Sequence, residues 1–178
     1  MPQTPTTTAY LDELEVGAEF AGRGRTITEA DLVSFSALTG DWHPQHADAE
    51  WARTSAFGER VAHGMMVLSY AVGLLDFDPD RVVALRGLDD VVFKRPVLIG
   101  ETIRPVARVA EVQPLREDSG LVTLAVQIRG ADGRLAARCR IQALWRRDAR
   151  QAASPGAADA SETLEAALHP AADGTVLV

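Results

Sequence analysis

Apolar side chains recur at helical spacing in two segments of the first half of the chain. Residues 29–38 follow Thr28, a residue type that caps helix N-termini, and stop before Gly40, a residue type that ends helices. Residues 65–75 are apolar around a whole helical wheel apart from one Ser and one Tyr. The sequence therefore predicts one amphipathic helix and a second helix that is buried on all faces.

The second half of the chain has the pattern of β-strands. Four strand-length segments follow one another, and the last two alternate between apolar and polar positions; they are residues 81–96, 101–116, 121–130 and 134–147. Between the last two, Ala131-Asp132-Gly133 predicts a hairpin turn, because the Asp-Gly pair accommodates positive φ. Residues 18–28 predict a first strand, weakened by two glycines. The helix at 65–75 is expected to cover the apolar face of this sheet.

Length and composition predict a single α+β domain with a loose segment at each end. Residues 1–10 are rich in Pro and Thr and are expected to be flexible, whereas residues 11–147 carry the predicted helices and strands. Residues 148–178 shift to Ala, Gly, Ser and Pro, which predicts a disordered tail. The alternative for residues 161–168, within that tail, is that they form one short helix that docks on the domain.

Charge and cysteine content exclude several classes of protein. The formal net charge of −7 argues against nucleic acid or an anionic membrane as the main partner, since both attract basic surfaces. Cys139 is the single cysteine, so neither a disulfide framework nor a thiolate metal cluster is expected. The N-terminus lacks a secretory pattern, and no apolar run approaches the roughly 20 residues of a membrane span. A cytoplasmic protein is predicted.

The candidate chemistry lies immediately before the predicted buried helix. Residues 41–63 contain Asp41, His43, His46 and His63, and thus three of the four histidines of the chain. Asp41 follows the end of the first helix, and Pro44 stiffens the backbone between the first two histidines. Titratable groups at the entrance to a core predict a reaction centre there.

This segment resembles the signature of the MaoC-like dehydratase family, which includes the (R)-specific enoyl-CoA hydratases. The family's signature is D-x-N-P-x-H, then an FG-type turn, then HGM. Asp41-Trp-His-Pro-Gln-His46 resembles the first motif, Phe57-Gly58 the second and His63-Gly64-Met65 the third. Its F-x-x-P-V motif is matched by Phe93-Lys-Arg-Pro96-Val97. The resemblance covers about residues 11–147. It implies a single hotdog domain, in which a long antiparallel sheet wraps around a central helix.

The resemblance implies a hydro-lyase that interconverts trans-2-enoyl and (R)-3-hydroxyacyl thioesters. Asp41 and His46 would hold one water molecule between them, and two such groups can supply both the base and the acid of a hydration. The Gly64 amide would stabilise the oxyanion of the thioester carbonyl, where a helix N-terminus favours negative charge. No cofactor is expected, because the thioester of coenzyme A or acyl carrier protein belongs to the substrate.

The remaining site residues are expected to bind substrate or to support the catalytic pair. His43 replaces the family's usual Asn, either as an equivalent hydrogen-bond donor or as a third titratable group. His63 is expected to brace the start of the central helix. Lys94 and Arg95 are candidates for coenzyme A phosphates, with solvent exposure as the equal alternative. Candidates for the acyl pocket are Trp42, Trp51, Phe57, Met65 and Met66.

Other interpretations stay open at this point. Asp41, His43 and His46 form a conceivable metal ligand set, but their spacing matches no zinc pattern, so no metal is predicted. The same fold also suits an acyl thioesterase or a non-catalytic acyl-thioester-binding subunit. A lone sheet of this length would expose its edges, so a homodimer is predicted, with coenzyme A along the subunit boundary.

Overall fold

The computed structural model describes residues 6–147 as an antiparallel sheet that curves around one long helix. The helices, apart from two short 3-10 turns at Thr6–Thr8 and Leu11–Glu13, are α1 (Glu29–Thr39), α2 (Pro44–Ala47), α3 (Ala49–Thr54) and α4 (Gly64–Leu74). The strands are β1 (Glu19–Ala21), β2 (Arg25–Thr26), β3 (Val82–Phe93), β4 (Thr102–Pro114), β5 (Ser119–Gly130) and β6 (Leu135–Arg146). The sheet order is β1-β4-β5-β6-β3, and β2 also pairs with β4.

The four strands predicted in the second half of the chain are confirmed, as is the hairpin turn between the last two. Gly133 adopts φ 78° and donates its N–H to the carbonyl of Gly130 at 3.0 Å. The predicted first strand is wrong as a continuous element, because it is divided into β1 and β2. At the break, a Cβ added to Gly22 would lie 2.3 Å from the carbonyl oxygen of Leu74, so the backbone there packs directly on the end of α4.

Helix α1 begins and ends as its sequence predicts. The Thr28 hydroxyl accepts a hydrogen bond from Asp31 N–H at 3.3 Å, and the Asp31 carboxylate accepts one from Thr28 N–H at 2.7 Å. Asp31 also accepts hydrogen bonds from Arg25 and from the hydroxyl of Tyr70 on α4. Gly40 adopts φ 77° and ends the helix. The start of α1 is thereby attached to the central helix.

Helix α4 is the predicted central helix, and its inner side forms the centre of the hydrophobic core. Met66, Val67, Leu68 and Ala71 are buried against the sheet. The prediction that this helix is buried on all faces is wrong for the single chain, because Met65, Ser69 and Gly73 are exposed. These three residues are spaced four apart and form one stripe on the side of α4 that the sheet does not reach.

The segment before β1 is part of the domain. Ala9 and Tyr10, which the sequence assigned to a flexible N-terminus, are buried, and Trp145 Nε1 donates a hydrogen bond to the carbonyl of Ala9 at 2.8 Å. Residues 1–5 and the predicted tail at 148–178 lie outside the described residues. Within residues 6–147, every helix is too short or too polar to cross a membrane.

Candidate active site

The loop after α1 holds Asp41 at the surface, beside His46. Its side chain is 49% exposed, and its Oδ1 accepts a hydrogen bond from the backbone N–H of His43 at 3.2 Å. The Asp41 N–H lies 3.3 Å from the Thr39 hydroxyl, which fixes the backbone just after the glycine that ends α1. One carboxylate oxygen is therefore anchored, and the other faces the next helix.

Helix α2 places His46 in a buried position with a defined tautomer. His46 Nδ1 lies 2.7 Å from the carbonyl oxygen of Val61, and a carbonyl only accepts, so Nδ1 carries the hydrogen. The Val61 N–H in turn donates to the carbonyl of Gln45 at 3.1 Å. In the neutral form, the lone pair of His46 is therefore on Nε2, the ring nitrogen on the side of Asp41.

Burial lowers the pKa of His46 below its ordinary value. The hydrogen bond to the Val61 carbonyl opposes this effect, and the neighbouring His63 adds to it. His46 is thus predominantly neutral near pH 7, which is the form that can accept a proton.

The two predicted catalytic side chains face each other across a short gap. Asp41 Oδ2 lies 4.0 Å from His46 Nε2, beyond hydrogen-bond distance. A water molecule that bonds to both atoms at about 2.8 Å fits between groups at this separation. The arrangement can therefore polarise one water molecule between a carboxylate and an imidazole.

His63 supports this pair from inside the protein. Its ring stacks on that of His46 with the centroids 3.8 Å apart, and its Nε2 lies 3.1 Å from both the Ser36 hydroxyl and the Asp41 carbonyl oxygen. His63 is buried and is the N-cap residue of α4. Its contacts join α1, the Asp41 loop and α4, which is the bracing position expected from the sequence.

Gly64 is the first residue of α4, where the backbone N–H has no partner within the helix. A Cβ added at this position would lie 2.9–3.0 Å from three ring atoms of Phe93. Any larger residue would therefore push against that ring. Glycine allows Phe93 to lie directly on the start of the helix, beside an amide that favours negative charge.

A cavity of about 360 Å³ opens beside His46 and Gly64. Its wall is mostly apolar, and a cavity of this size suits a small organic group. The lining residues are Gln45, His46, Phe57, Val61, Ala62, Gly64, Val67, Phe93, Lys94, Arg95, Pro96, Val97, Ala136 and Ala137.

The cavity contains some of the predicted site residues and leaves others outside. His46, Gly64, Phe57, Lys94 and Arg95 line it. Five predicted site residues do not line it: Asp41, His43, Trp42, His63 and Met65. Asp41 and His63 still contact His46 from the side, whereas Trp42 and Met65 are exposed apolar side chains. Of the further pocket candidates, Trp51 is exposed and Met66 belongs to the core.

Two of the predicted substrate-binding residues already have partners within the protein. Arg95 donates to both carboxylate oxygens of Glu101, at 2.8 and 3.1 Å, so its charge is paired beneath the β5–β6 hairpin. His43 is the N-cap residue of α2, and its Nδ1 accepts a hydrogen bond from Gln45 N–H at 3.3 Å. The exposed Lys94 remains the better candidate for a phosphate group.

Sequence reasoning missed most of the cavity wall. Gln45, Val61, Ala62 and Val67 were not predicted as lining residues, nor were the two alanines of β6. The F-x-x-P-V match held a usable signal, since Phe93, Pro96 and Val97 all line the cavity. The alanines gave no signal, because a small apolar strand residue has the same pattern in a wall as in a core.

The distances also bring together a set of potential metal ligands. Asp41, His46 and His63 each offer one ligand atom, and these atoms lie within 4.8 Å of one another. The sequence suggested His43 as the third ligand of such a set, whereas in the structure the third residue is His63. His63 Nε2 is already near the Ser36 hydroxyl and the Asp41 carbonyl, so a metal on that nitrogen would compete with these contacts. The expectation that no metal binds stays a prediction.

The segment that carries Asp41, His46 and the start of α4 lies within the match to a known family. The model of the MaoC-like domain matches residues 13–129. The chain belongs to this family. Solved structures with the hotdog fold are similar to this MaoC-like protein, so the predicted fold class is confirmed.

Named relatives of this MaoC-like protein include enzymes that act on acyl thioesters. An (R)-specific enoyl-CoA hydratase from Aeromonas caviae is 34% identical over 123 residues, which cover 69% of this chain and 89% of that protein. Protein MaoC from Klebsiella aerogenes is 41% identical over 96 residues, 53% of this chain, but the match spans only 29% of that longer protein. The structure of a monoamine oxidase regulatory protein from Archaeoglobus fulgidus has a TM-score of 0.74 and 38% identity, and the match covers 83% of this chain and 99% of that one.

Proposed function

We propose that this MaoC-like protein is a hydro-lyase that adds water to a trans-2-enoyl thioester, giving an (R)-3-hydroxyacyl thioester, and catalyses the reverse dehydration. The observation that carries the proposal is the 4.0 Å gap between Asp41 Oδ2 and His46 Nε2, beside the start of α4 and an apolar cavity. The gap suits one reacting water molecule, and the cavity suits an acyl group.

In the proposed reaction, His46 is both base and acid. As the water oxygen bonds to C3, one of its protons passes to His46 Nε2, and the electron pair of the double bond moves onto the thioester oxygen. The Gly64 N–H stabilises this enolate oxygen. His46 then returns the proton to C2, which restores its neutral form. Asp41 orients the water and stabilises the imidazolium between the two steps.

The substrate is proposed to enter as a thioester of coenzyme A or of acyl carrier protein. The acyl group would contact Val67, Val97 and the alanines of β6, and the exposed Lys94 would approach a phosphate of the carrier. In this proposal, the carrier is part of the substrate and the acid–base groups come from the chain itself. The named activity of the Aeromonas caviae relative, 89% of whose length is matched, supports this assignment.

The experiment that tests the proposal compares two substrates that differ by one double bond. We expect trans-2-butenoyl-CoA to lose its conjugated absorbance, and chiral analysis of the product to give (R)-3-hydroxybutyryl-CoA. Butyryl-CoA should release no thiol. Thiol release from both substrates, without hydration, would instead establish a thioesterase. Saturable binding of both without turnover would indicate a non-catalytic subunit.

We further propose that two copies pair through β3. Within residues 6–147, this strand of 12 residues pairs only with β6, and it carries the exposed side chains of Leu85 and Leu88. Natural proteins rarely leave a long apolar edge uncovered. A second copy at this edge would lie near Phe93, the last residue of β3, which packs on Gly64. Sedimentation should give a dimer at micromolar concentration; a fully active monomer would contradict this proposal.

A further inference from the structure

Gln45 contacts the reactive nitrogen of His46, a contact that the proposed mechanism does not use. Its side-chain amide nitrogen lies 3.0 Å from His46 Nε2. Because His46 Nδ1 donates to the Val61 carbonyl, neutral His46 has a lone pair and no hydrogen at Nε2. The contact is therefore a hydrogen bond that Gln45 donates to this lone pair.

Gln45 and Asp41 thus offer opposite partners to the same nitrogen. The Gln45 amide donates a hydrogen and suits the neutral imidazole, whereas the Asp41 carboxylate accepts one and suits the imidazolium. Gln45 is within hydrogen-bond distance in the resting site, and Asp41 Oδ2 is 4.0 Å away. The resting contacts are those of the neutral form.

We propose that Gln45 is a positioning residue that holds the lone pair of His46 Nε2 until substrate binds, and that then releases this lone pair to the reacting water. An in-plane nitrogen lone pair accepts one strong hydrogen bond. The water molecule that reacts must therefore replace the Gln45 amide. Gln45 also lines the cavity, so a bound acyl group can move its side chain. The glutamine couples occupancy of the cavity to the availability of the base.

Other charged and titratable groups face His46 and are unchanged by a substitution at Gln45. They are Asp41 in the loop after α1, His43 at the start of α2, His63 at the start of α4, and Lys94 and Arg95 across the cavity. The charge of Arg95 is paired with Glu101. A substitution that keeps the size of Gln45 therefore isolates the amide contact from these groups.

The test is an NMR titration of the His46 ring nitrogens in the full chain without substrate. Gln45→Met keeps the length of the side chain and removes the donor, and should raise the pKa of His46 by about 0.5 to 1, the size expected for one hydrogen bond. Gln45→Glu replaces the donor by an acceptor for the imidazolium and should raise it further. Gln113→Met, the same change at an exposed position on β4, should leave it unchanged.

An unchanged or lower pKa in Gln45→Met would overturn the proposal, since a lower value would mean that the amide oxygen accepts from the imidazolium. If Gln45→Met fails to fold, Gln45→Leu, which also removes the donor without adding a charge, decides by the same sign. The consequence for turnover rests on the proposed function: the acid limb of kcat/KM for hydration should move to higher pH with the NMR value. A pKa that rises without any movement of that limb would support the role of Gln45 and contradict His46 as the catalytic base.

Discussion

Helix α1 has an aspartate at each end, and the two carboxylates have opposite surroundings. Asp31, in the first turn, has a side chain only 9% exposed and accepts hydrogen bonds from Thr28 N–H at 2.7 Å, the Thr28 hydroxyl at 2.8 Å and the Tyr70 hydroxyl at 2.9 Å. Arg25 adds a salt bridge at 2.5 Å. Burial raises the pKa of Asp31, but the hydrogen bonds from Thr28, Arg25 and Tyr70 outweigh it and hold the pKa at about 2.

Asp41, just past the other end, is half exposed and has one carboxylate oxygen bonded to the backbone. Its second oxygen faces His46 at a distance too long for a direct bond. A carboxylate that is saturated with donors is fixed and stabilises the fold, whereas one with an open oxygen can bind a water molecule. The number of hydrogen bonds around each aspartate thus distinguishes a structural group from a candidate catalytic one.

The largest expected effect on activity is at Asp41, just past the end of α1, and at its partner His46. Asp41→Asn and His46→Ala should each lower the hydration rate by roughly 10²–10⁴-fold, because His46 carries the proton in the proposed reaction and Asp41 orients the water and stabilises the imidazolium. Stopped-flow or steady-state absorbance of trans-2-butenoyl-CoA measures the rate. The thermal midpoint of Asp41→Asn should stay near wild type, since Asp41 contributes few contacts; near-normal turnover in either variant would refute the assigned mechanism.

A smaller loss is expected where the helix start meets Phe93. In Gly64→Ala, the new Cβ would lie 2.9–3.0 Å from the ring, so either the ring or the helix start must shift. A displacement of about 1 Å in an active site can cost about 10²-fold in rate. The double variant Gly64→Ala/Phe93→Leu should recover part of kcat, because leucine leaves room for the methyl group. Absence of recovery would show that the ring contact is not the cause.

At Asp31, in the first turn of α1, the expected effect is on the stability of the fold. Asp31→Asn should destabilise the fold by about 2 kcal/mol, because buried donors lose a charged acceptor. Since the folded pKa of Asp31, about 2, lies below the ordinary 3.8, its contribution is present above pH 3.8 and is lost as pH falls toward 2. Urea unfolding from pH 5 to pH 2 should therefore show a steeper loss in the wild type than in the variant. Parallel curves would contradict the assignment.

The smallest effect is expected at the mouth of the cavity. Lys94→Ala should raise KM for a coenzyme A thioester by a few-fold and leave kcat unchanged, because an exposed ion pair contributes about 0.2–1 kcal/mol. The difference from wild type should shrink as salt is added. Lys94→Arg is the matched control and should retain the lower KM. A change in kcat instead would place Lys94 nearer to the reacting atoms.

Local patterns predicted much of the fold. The two ends of α1 could be predicted because Thr28 and Gly40 act on neighbouring backbone atoms. The hairpin turn could be predicted from the adjacent pair Asp132-Gly133. The division of the first strand was not predicted, because it depends on Gly22 meeting the end of α4, some 50 positions away in sequence. The exposed stripe of α4 was not predicted. The pattern of apolar residues on a helix does not show how much of its surface the sheet covers.

For the candidate site, the sequence motif placed Asp41, His46 and Gly64 near one another but could not give their hydrogen bonds. The pairing of Arg95 with Glu101 and the stacking of His63 on His46 are contacts between separate elements. Gln45 was not predicted as a site residue. Its role depends on the tautomer of His46, which the Val61 carbonyl determines.

The bond from Trp145 to the Ala9 carbonyl joins positions 136 residues apart. Strand β6, which carries Trp145, is also the sheet partner of β3, although β3 is made some 50 residues earlier. During synthesis on the ribosome, both the N-terminal segment and β3 must therefore wait for the last strand to emerge. Until then an apolar strand is without its partner, so the nascent chain passes through an interval in which it is prone to aggregation.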